Sequence, residues 1–383
     1  MNIGILYPHS VAHPLMMRDF MEGLGAVLKK GPLANHHRLI AEGVGFGGNE
    51  KEVYEKAERL LAPGNIDILV AYIDLKVLDI LKPLIYSSGK LFLLANPGAN
   101  LPANWVPRPN IIQLTLLHGF LCWLTGIAAG DSGNQNTAMA TTFYDCGYFQ
   151  CAAMVKGLNR TGGRITHNYI SNQAYDEKFA IDPLTAYLDE DRETRNLLCL
   201  FDALPASLFY SRLNLFEKAE HLGLYVSPMM LEPAALGPDG GGFKFSITGY
   251  LPWQAGAENA ANRFFTQTHY QETKREATPF SLLGWETGLI LERLFSSGPG
   301  DFSEGARLVE KLKDSPIEGP RGMLTLDPKT QYYLSPFLRF REKGGKKESA
   351  TVDILEMENQ WAEFTSEKYE GISSGWTNTY LCY

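Results

Sequence analysis

Residues 65–100 constrain the fold more than any other part of the chain. They begin with a near-continuous apolar run, residues 66–72, which predicts a strand buried on both faces of a parallel sheet. From Val77 onward, apolar residues recur at the spacing of one helical face, and Gly89 marks the end of that predicted helix. A second apolar run, residues 91–95, predicts another buried strand. The stretch therefore predicts a strand–helix–strand unit.

The loops that follow these two strands carry the first candidate binding residues. Tyr72 and Asp74 follow the first strand, and Asn96 follows the second. Both loops of a right-handed strand–helix–strand unit emerge at one edge of the sheet, where open α/β sheets bind ligands. We therefore expect these side chains at a binding edge. Because Pro83 interrupts the helical pattern, we also expect a kink there or two short helices.

The same alternation extends through most of the chain. Residues 1–113 alternate strands and helices, and after a polar break at residues 131–136 the alternation restarts as far as residue 228. Two doubly wound parallel sheets of similar size are predicted, which gives an α/β protein with two lobes.

The pattern changes beyond residue 243. Helices are predicted at residues 257–273, 279–295 and 303–312. Residues 338–342 and 351–356 are predicted to be two strands of a hairpin, joined by a basic turn. The tail from Thr365 is rich in Gly, Ser and Tyr, and it either packs loosely on a lobe or is disordered.

Composition excludes several classes of protein. The net charge of −8 over 383 residues argues against nucleic-acid binding, which needs clustered Lys and Arg. The five cysteines form no CxxC pair, so neither a disulfide framework nor a zinc site is expected. The apolar residues 114–129 are too few to span a bilayer. No signal-peptide pattern precedes the first strand, so either the chain is cytoplasmic or a signal peptide has been removed.

Motifs for catalysis and cofactors do not support an enzyme. The glycine-rich residues 45–48 lack the lysine of a P-loop and predict a plain turn. The sequence contains no HExxH or DxDxDG spacing, and His36 and His37 would point to opposite faces of a strand. We therefore expect no catalytic residues, no metal and no cofactor.

Several segments, taken in order, resemble the type I periplasmic-binding-protein fold, and more closely the leucine/isoleucine/valine-binding family of ABC-transporter receptors. They are IGILYPHS, IDILVAYIDLKVLDILKPLIYSSGKLFLLANPGA, TAMATTFYDCGYFQCAAMVKGL, PFSLLGWETGLILERL and IEGPRGMLTLDPKTQYYLSP. The resemblance implies one lobe of residues 1–116 plus 250–332 and a second of 117–249 plus 333–383, joined by a three-strand hinge. Ligand would bind in a cleft between the lobes, which would close on it.

The chain departs from the amino-acid-binding members of that family. They hold a carboxylate with small hydroxyl residues where this chain has Tyr72-Ile73-Asp74-Leu75, and an expected aromatic is replaced by Cys146. These departures predict a neutral or cationic, partly aromatic or apolar ligand in place of a free α-amino acid.

The leading hypothesis is a solute-binding protein that delivers a small molecule to an ABC permease. The alternative is a cytoplasmic ligand-sensing regulator with a protein partner, and an enzyme is the weakest reading. No nucleic acid and no membrane insertion are expected, and location stays open between periplasm and cytoplasm. At the strand ends we predict aromatic side chains that line the pocket and side chains that form hydrogen bonds. An acidic side chain is also predicted there, to bind the positively charged or hydrogen-bond-donating end of the ligand. The candidate ligand-binding residues are His9, Ser10, His13, Tyr72, Asp74, Asn96, His118, Phe143, Tyr144, Tyr148, Asp202 and Trp253, with Glu232 as an alternative acid to Asp202.

Overall fold

The computed structural model of the chain describes residues 1–102, 104–142, 147–172, 176, 178–191, 193–237, 242–296, 302, 304–369 and 380. The strands are β1 (Asn2–Tyr7), β2 (Arg38–Gly43), β3 (Ile68–Ala71), β4 (Leu91–Asn96), β5 (Ile111–Thr115), β6 (Asn136–Thr141), β7 (Arg164–Ile170), β8 (Asn196–Leu200), β9 (Gly223–Val226), β10 (Ser246–Leu251), β11 (Ile317–Gly319), β12 (Gly322–Leu326), β13 (Tyr333–Leu334), β14 (Leu338–Lys343) and β15 (Lys346–Thr351). The helices are α1 (Met16–Leu28), α2 (Glu50–Leu61), α3 (Leu75–Ser88), α4 (His118–Gly130), α5 (Gly147–Arg160), α6 (Asp182–Glu190), α7 (Ala203–Leu213), α8 (Pro233–Leu236), α9 (Ala260–Thr273), α10 (Pro279–Ser296), α11 (Gly305–Lys313) and α12 (Ile354–Ser366).

These elements belong to two compact units, and the predicted α/β class is confirmed. Unit 1 comprises Met1–Gly98, Pro102–Leu116 and Trp253–Pro336. Unit 2 comprises Ala99–Leu101, Leu117–Pro252 and Phe337–Tyr383.

Unit 1 is built on a five-stranded parallel sheet in the order β2-β1-β3-β4-β5. Every residue of β3 and β4 is buried, as expected for central strands with helices on both faces. Between them α3 runs unbroken through Pro83, so of the two alternatives that of two short helices is wrong, while a kink at Pro83 stays a prediction. Gly89 ends that helix in the left-handed conformation, with φ of 66°, as its sequence pattern predicts. A small antiparallel sheet, β11-β12-β13, completes the unit.

Unit 2 is built on a seven-stranded mixed sheet in the order β15-β14-β10-β9-β8-β6-β7. The five strands β6 to β10 are parallel, whereas β14 and β15 add an antiparallel hairpin at one end. Gly344 and Gly345 form the hairpin turn with φ of 58° and 80°, the positive angles of a type I′ turn.

The predicted strand at residues 351–356 is wrong. The hairpin's second strand, β15, ends at Thr351, and α12 begins shortly after it with Asp353 as its N-cap. The Asp353 carboxylate accepts a hydrogen bond from the Leu355 amide at 2.8 Å, which satisfies one of the free donors at the start of the helix. All six residues of β15 are exposed, so this edge strand lacks the apolar alternation by which strands are recognised.

In each unit, glycine residues allow the backbones of two neighbouring helices to come into contact. In unit 1, a Cβ placed on Gly284 of α10 would lie 1.9 Å from the Phe20 carbonyl oxygen of α1. In unit 2, a Cβ on Gly126 of α4 would lie 2.0 Å from the Met154 carbonyl oxygen of α5. Neither position has room for a side chain, because backbone meets backbone there.

Candidate functional site

The carboxyl ends of the strands in unit 1 bring the predicted loop residues to one edge. Because β1, β3 and β4 are adjacent and parallel, the loops after them are neighbours. Tyr72 and Asp74 follow β3 at this edge, Asn96 is the last residue of β4, and all three side chains are buried. Their shared position agrees with the sequence argument, while their role in binding stays a prediction.

Asn96 joins the two loops by hydrogen bonds. Its amide nitrogen donates to the Ile73 carbonyl at 2.9 Å, and its amide oxygen accepts from the Gly98 amide at 2.8 Å. Asp74 caps α3 by accepting from the Lys76 amide at 2.9 Å. These bonds fix the backbone of both loops, so the edge is formed before any ligand arrives.

Tyr72 is packed as a core residue as well as an edge residue. Only 1% of its surface is exposed, and its ring meets that of Phe20 edge-on at 6.2 Å between centroids. Edge-to-face ring pairs of this kind stabilise the packing beyond the area they bury.

The loop after β1 holds the three remaining candidates from the start of the chain. Ser10 is buried, and its hydroxyl oxygen accepts from the His13 amide at 2.9 Å. The half-buried His13 ring lies edge-on to Phe280 at 5.6 Å, whereas His9 is exposed and meets Tyr7 at the same distance. The three therefore differ in exposure, with His9 the most accessible to solvent.

A buried ion pair lies beneath the same edge. The Arg321 guanidinium, in the turn between β11 and β12, donates to both carboxylate oxygens of Glu286 in α10, with the Nε atom at 3.0 and 3.1 Å. Its Nη1 also donates to the carbonyl of Thr115, the last residue of β5, at 3.0 Å. This pair was missed from sequence, because two residues 35 positions apart show no local pattern.

The carboxyl edge in unit 2 carries a different set of polar side chains. Asp202 follows β8, Ser171 follows β7 and Ser227 follows β9, and all three are buried. Within the part of the chain that the structure describes, the hydroxyls of Ser171 and Ser227 have no hydrogen-bond partner. Buried hydroxyls normally find a partner, so these two retain capacity for hydrogen bonding at the edge.

His118, the first residue of α4, lies at this edge too. It is 1% exposed, and burial lowers the pKa of its imidazole from 6.5 to about 3, so the ring is neutral at pH 7. Neither ring nitrogen has a hydrogen-bond partner among the described residues.

Tyr380 contacts His118 and was missed from sequence. The two rings meet edge-on at 5.8 Å, and the Tyr380 hydroxyl donates a hydrogen bond to the Glu232 carboxylate. The composition of the tail predicted loose packing or disorder, yet Tyr380 is only 2% exposed. Its aromatic character was the one local signal of burial.

Trp253 belongs to unit 1 and is held by its indole nitrogen. That nitrogen donates to the Asn262 side-chain oxygen at 2.7 Å, and the ring packs against Phe265 at 5.8 Å. These contacts stabilise the start of α9, and a role for Trp253 in lining a pocket stays a prediction.

The side chains of three predicted binding residues lie outside the part of the chain that the structure describes. Phe143 and Tyr144 lie outside the described residues. Tyr148 lies in α5, and its side chain is likewise outside them.

A cavity of about 580 Å³ in unit 2 lies away from these edges. It is lined by Asp131, beyond the end of α4, and by Arg339 and Arg341 on β14. The Asn196 amide, at the start of β8, donates to the Ala129 carbonyl at 3.0 Å, which places the end of α4 at the amino edge of the sheet. The cavity is therefore separate from the predicted site.

Two spacings familiar from enzymes also occur. Residues 43–48 read G-x-G-x-x-G, and in the structure the Gly47 amide closes a turn on the Val44 carbonyl at 2.9 Å while Lys56 donates to the Gly43 carbonyl. Residues 371–375 read G-x-S-x-G and lie outside the described residues. Elsewhere in the described chain, no group of three His, Cys, Asp or Glu side chains is placed to hold a metal ion. Nor does any described helix have the length and apolarity to cross a membrane.

No family model and no curated protein match the chain, but solved structures do. A solute-binding protein of an ABC transporter from R. palustris, in complex with benzoate, is 18% identical, with a TM-score of 0.70 over 91% of this chain and 95% of that chain. An ABC-transporter substrate-binding protein from Sphaerobacter thermophilus is 16% identical, with a TM-score of 0.75 over 92% and 97%. The leucine-binding protein LivK from Thermotoga maritima is 12% identical, with a TM-score of 0.67 over 92% and 99%.

These likenesses span nearly the whole of each chain and confirm the fold predicted from sequence. The chain has the type I periplasmic-binding-protein fold, that of ABC-transporter solute-binding proteins. At such low identities they establish the fold alone, and function has to be argued from the site.

Proposed function

We propose that the protein is a solute-binding protein that captures a small organic molecule and delivers it to an ABC-type permease. The observation that carries the proposal is the set of buried polar and aromatic side chains at the carboxyl ends of the parallel strands in each unit, where open α/β sheets bind ligands. The fold supports it, because the similar structures are described as transporter components.

In this proposal the protein binds its ligand without breaking a bond. Ring contacts and a few hydrogen bonds supply the affinity, and closure of the two units retains the ligand. The hydrogen bonds of Asn96 and Asp74 support this, since an edge that is already ordered loses less conformational entropy on binding. The similar structures are of transporter components, which also favours this function over that of a ligand-sensing regulator.

The ligand is proposed to be aromatic or apolar, without a net negative charge. Structures of this fold are known in complex with benzoate, with 3,4-dihydroxybenzoic acid and with Leu. In this chain Asp74 and Asp202 place a buried carboxyl at each edge. A further negative charge nearby would be repelled, whereas an ammonium or a hydroxyl donor would be attracted.

Matched ligand pairs test the ligand class. We expect benzamide and 4-hydroxybenzyl alcohol to raise the melting temperature more than benzoate and 4-hydroxybenzoate do. A ligand at 100 times its Kd adds about 2.7 kcal/mol of stability, which thermal shift detects readily. Stabilisation by leucine and other α-amino acids alone would contradict the proposed class.

A charge variant tests the site itself. Asp202→Asn should weaken binding of a cationic or hydroxyl-bearing ligand about tenfold, because a neutral amide oxygen replaces the charged acceptor. Asp189→Asn is the matched control, since Asp189 is exposed on the same unit and pairs with Lys218 at 2.5 Å. Equal affinities for the two variants would place the ligand elsewhere.

Native mass spectrometry showing no co-purified molecule, together with no hit in the ligand screen, would count against solute capture altogether.

A further inference from the structure

Three side chains from distant parts of unit 2 meet in one cluster, which we call the Tyr380 corner: His118, Glu232 and Tyr380. His118 begins α4, and Glu232 follows the short 3-10 turn Pro228–Leu231. Tyr380 lies 14 residues beyond the end of α12. The corner is therefore assembled by tertiary packing.

The corner lies at the carboxyl edge of the unit 2 sheet. The Thr125 hydroxyl, two turns into α4, contacts the carbonyl of Val226, the last residue of β9, at 3.5 Å. The end of α4 lies at the opposite edge, where its Ala129 carbonyl accepts from Asn196 at the start of β8. His118 therefore lies beyond the carboxyl end of β9, the same end from which the chain continues to Glu232.

The contacts of Tyr380 define a specific chemistry. Its ring is buried and lies edge-on to the imidazole of His118, and its hydroxyl donates to a carboxylate. A phenol hydroxyl that donates to a charged acceptor makes a strong hydrogen bond, and the aromatic contact adds to it. The neutral imidazole offers one donor and one acceptor, neither used by the described residues. All of these features would recognise a free phenol equally well.

We propose that the Tyr380 corner is a binding site for neutral phenols and that Tyr380 is the chain's own occupant. Its covalent attachment gives it a high effective concentration, so a free phenol competes poorly while it is present. The proposal does not depend on solute transport, because it concerns an intramolecular contact within unit 2 alone.

Removal of the occupant provides the test. In Tyr380→Ala, p-cresol, which reproduces the tyrosine side chain, should bind at least tenfold more tightly than to the wild-type protein, as measured by calorimetry and thermal shift. Toluene has the same ring without the hydroxyl, so it should bind the variant about tenfold more weakly than p-cresol. Adding Glu232→Leu to Tyr380→Ala removes the acceptor of the phenol hydroxyl, so it should abolish that preference while binding of the ring persists.

A second variant keeps the test decisive if Tyr380→Ala does not fold. Tyr380→Phe preserves the ring and removes only the hydrogen bond, so p-cresol should displace this weaker occupant and bind about tenfold more tightly than to wild type. Equal affinity of p-cresol for wild type and either variant would overturn the proposal. Equal binding of toluene and p-cresol to Tyr380→Ala would also overturn it. The transport proposal is tested on the wild-type protein with its own ligand, so the two proposals fail independently.

Discussion

The carboxyl edges of the two sheets use their polar side chains differently. In unit 1, Asn96 and Ser10 are hydrogen-bonded to loop amides or carbonyls of their own edge. In unit 2, Ser171, Ser227 and His118 are just as buried, yet their side chains form no hydrogen bond within the described residues. The two unit 1 side chains fix the loops, whereas the three unit 2 side chains have no hydrogen-bond partner among the described residues.

This difference suggests a division of labour in binding. An edge whose loops are already fixed loses little entropy when a ligand docks, so in the proposed function unit 1 would provide a preformed surface. An edge with unused hydrogen-bonding groups gains most from a ligand that satisfies them, so in the proposed function unit 2 would provide selectivity. The predictions below test whether the two edges differ in this way.

The largest effect is expected at the ion pair that supports the unit 1 edge. Arg321→Met leaves the Glu286 carboxylate buried without its partner, and the free energy of unfolding should fall by about 3–5 kcal/mol. The matched control is Arg59→Met in the same unit, which breaks an exposed pair with Glu42 and should change stability by about 1 kcal/mol or less. Urea denaturation measures the free energy of unfolding of both variants. Similar losses of stability would show that the buried ion pair stabilises the protein no more than an exposed pair does.

The next effect is a pH dependence from His118 in unit 2. Its pKa is about 3 in the folded protein, against 6.5 as the ordinary value, so between these values only the unfolded chain takes up the proton. Its contribution is fully present above pH 6.5 and is lost as the pH falls toward 3, reaching a loss of about 2 kcal/mol at pH 5. His118→Gln should remove this component, and unfolding curves at pH 7 and pH 5 for both proteins measure it. A variant with the same pH slope as wild type would show that His118 is not buried as a neutral ring.

The smallest effect compares one polar group from each edge. Asn96→Ala leaves the Ile73 carbonyl and the Gly98 amide without their partner, which should reduce stability by about 1–2 kcal/mol. Ser227→Ala removes a hydroxyl with no described partner, so the change should stay within about 0.5 kcal/mol. If the serine variant lost as much stability as the asparagine variant, the contrast between the edges would be wrong.

Much of the architecture could be predicted from sequence, because apolar periodicity reports burial directly. Residues 65–100 gave β3, α3 and β4 in the right order, and Gly89 ended the helix as expected. The prediction was wrong at β15, because an edge strand exposed on both faces has no apolar alternation. It also overlooked α12, although Met357, Trp361 and Phe364 form a buried helical stripe.

The site was less predictable, for a different physical reason. Strand ends identified Asp74, Asn96 and Asp202, because the topology brings such residues to one edge. Whether each side chain is engaged or available depends on partners far away in sequence. Glu286 and Arg321 are 35 residues apart, and Tyr380 and Glu232 are 148 apart, so no local pattern could pair them.

The glycine contacts between helices have a consequence for mutational tolerance. Gly284 and Gly126 face a carbonyl oxygen at 1.9 and 2.0 Å from where a Cβ would stand. Every amino-acid substitution at these two positions adds a Cβ, so no substitution is conservative. Even alanine must push the two helices apart. In a library of random variants, these inconspicuous helix positions should therefore be among the most depleted, ahead of many residues at the binding edges.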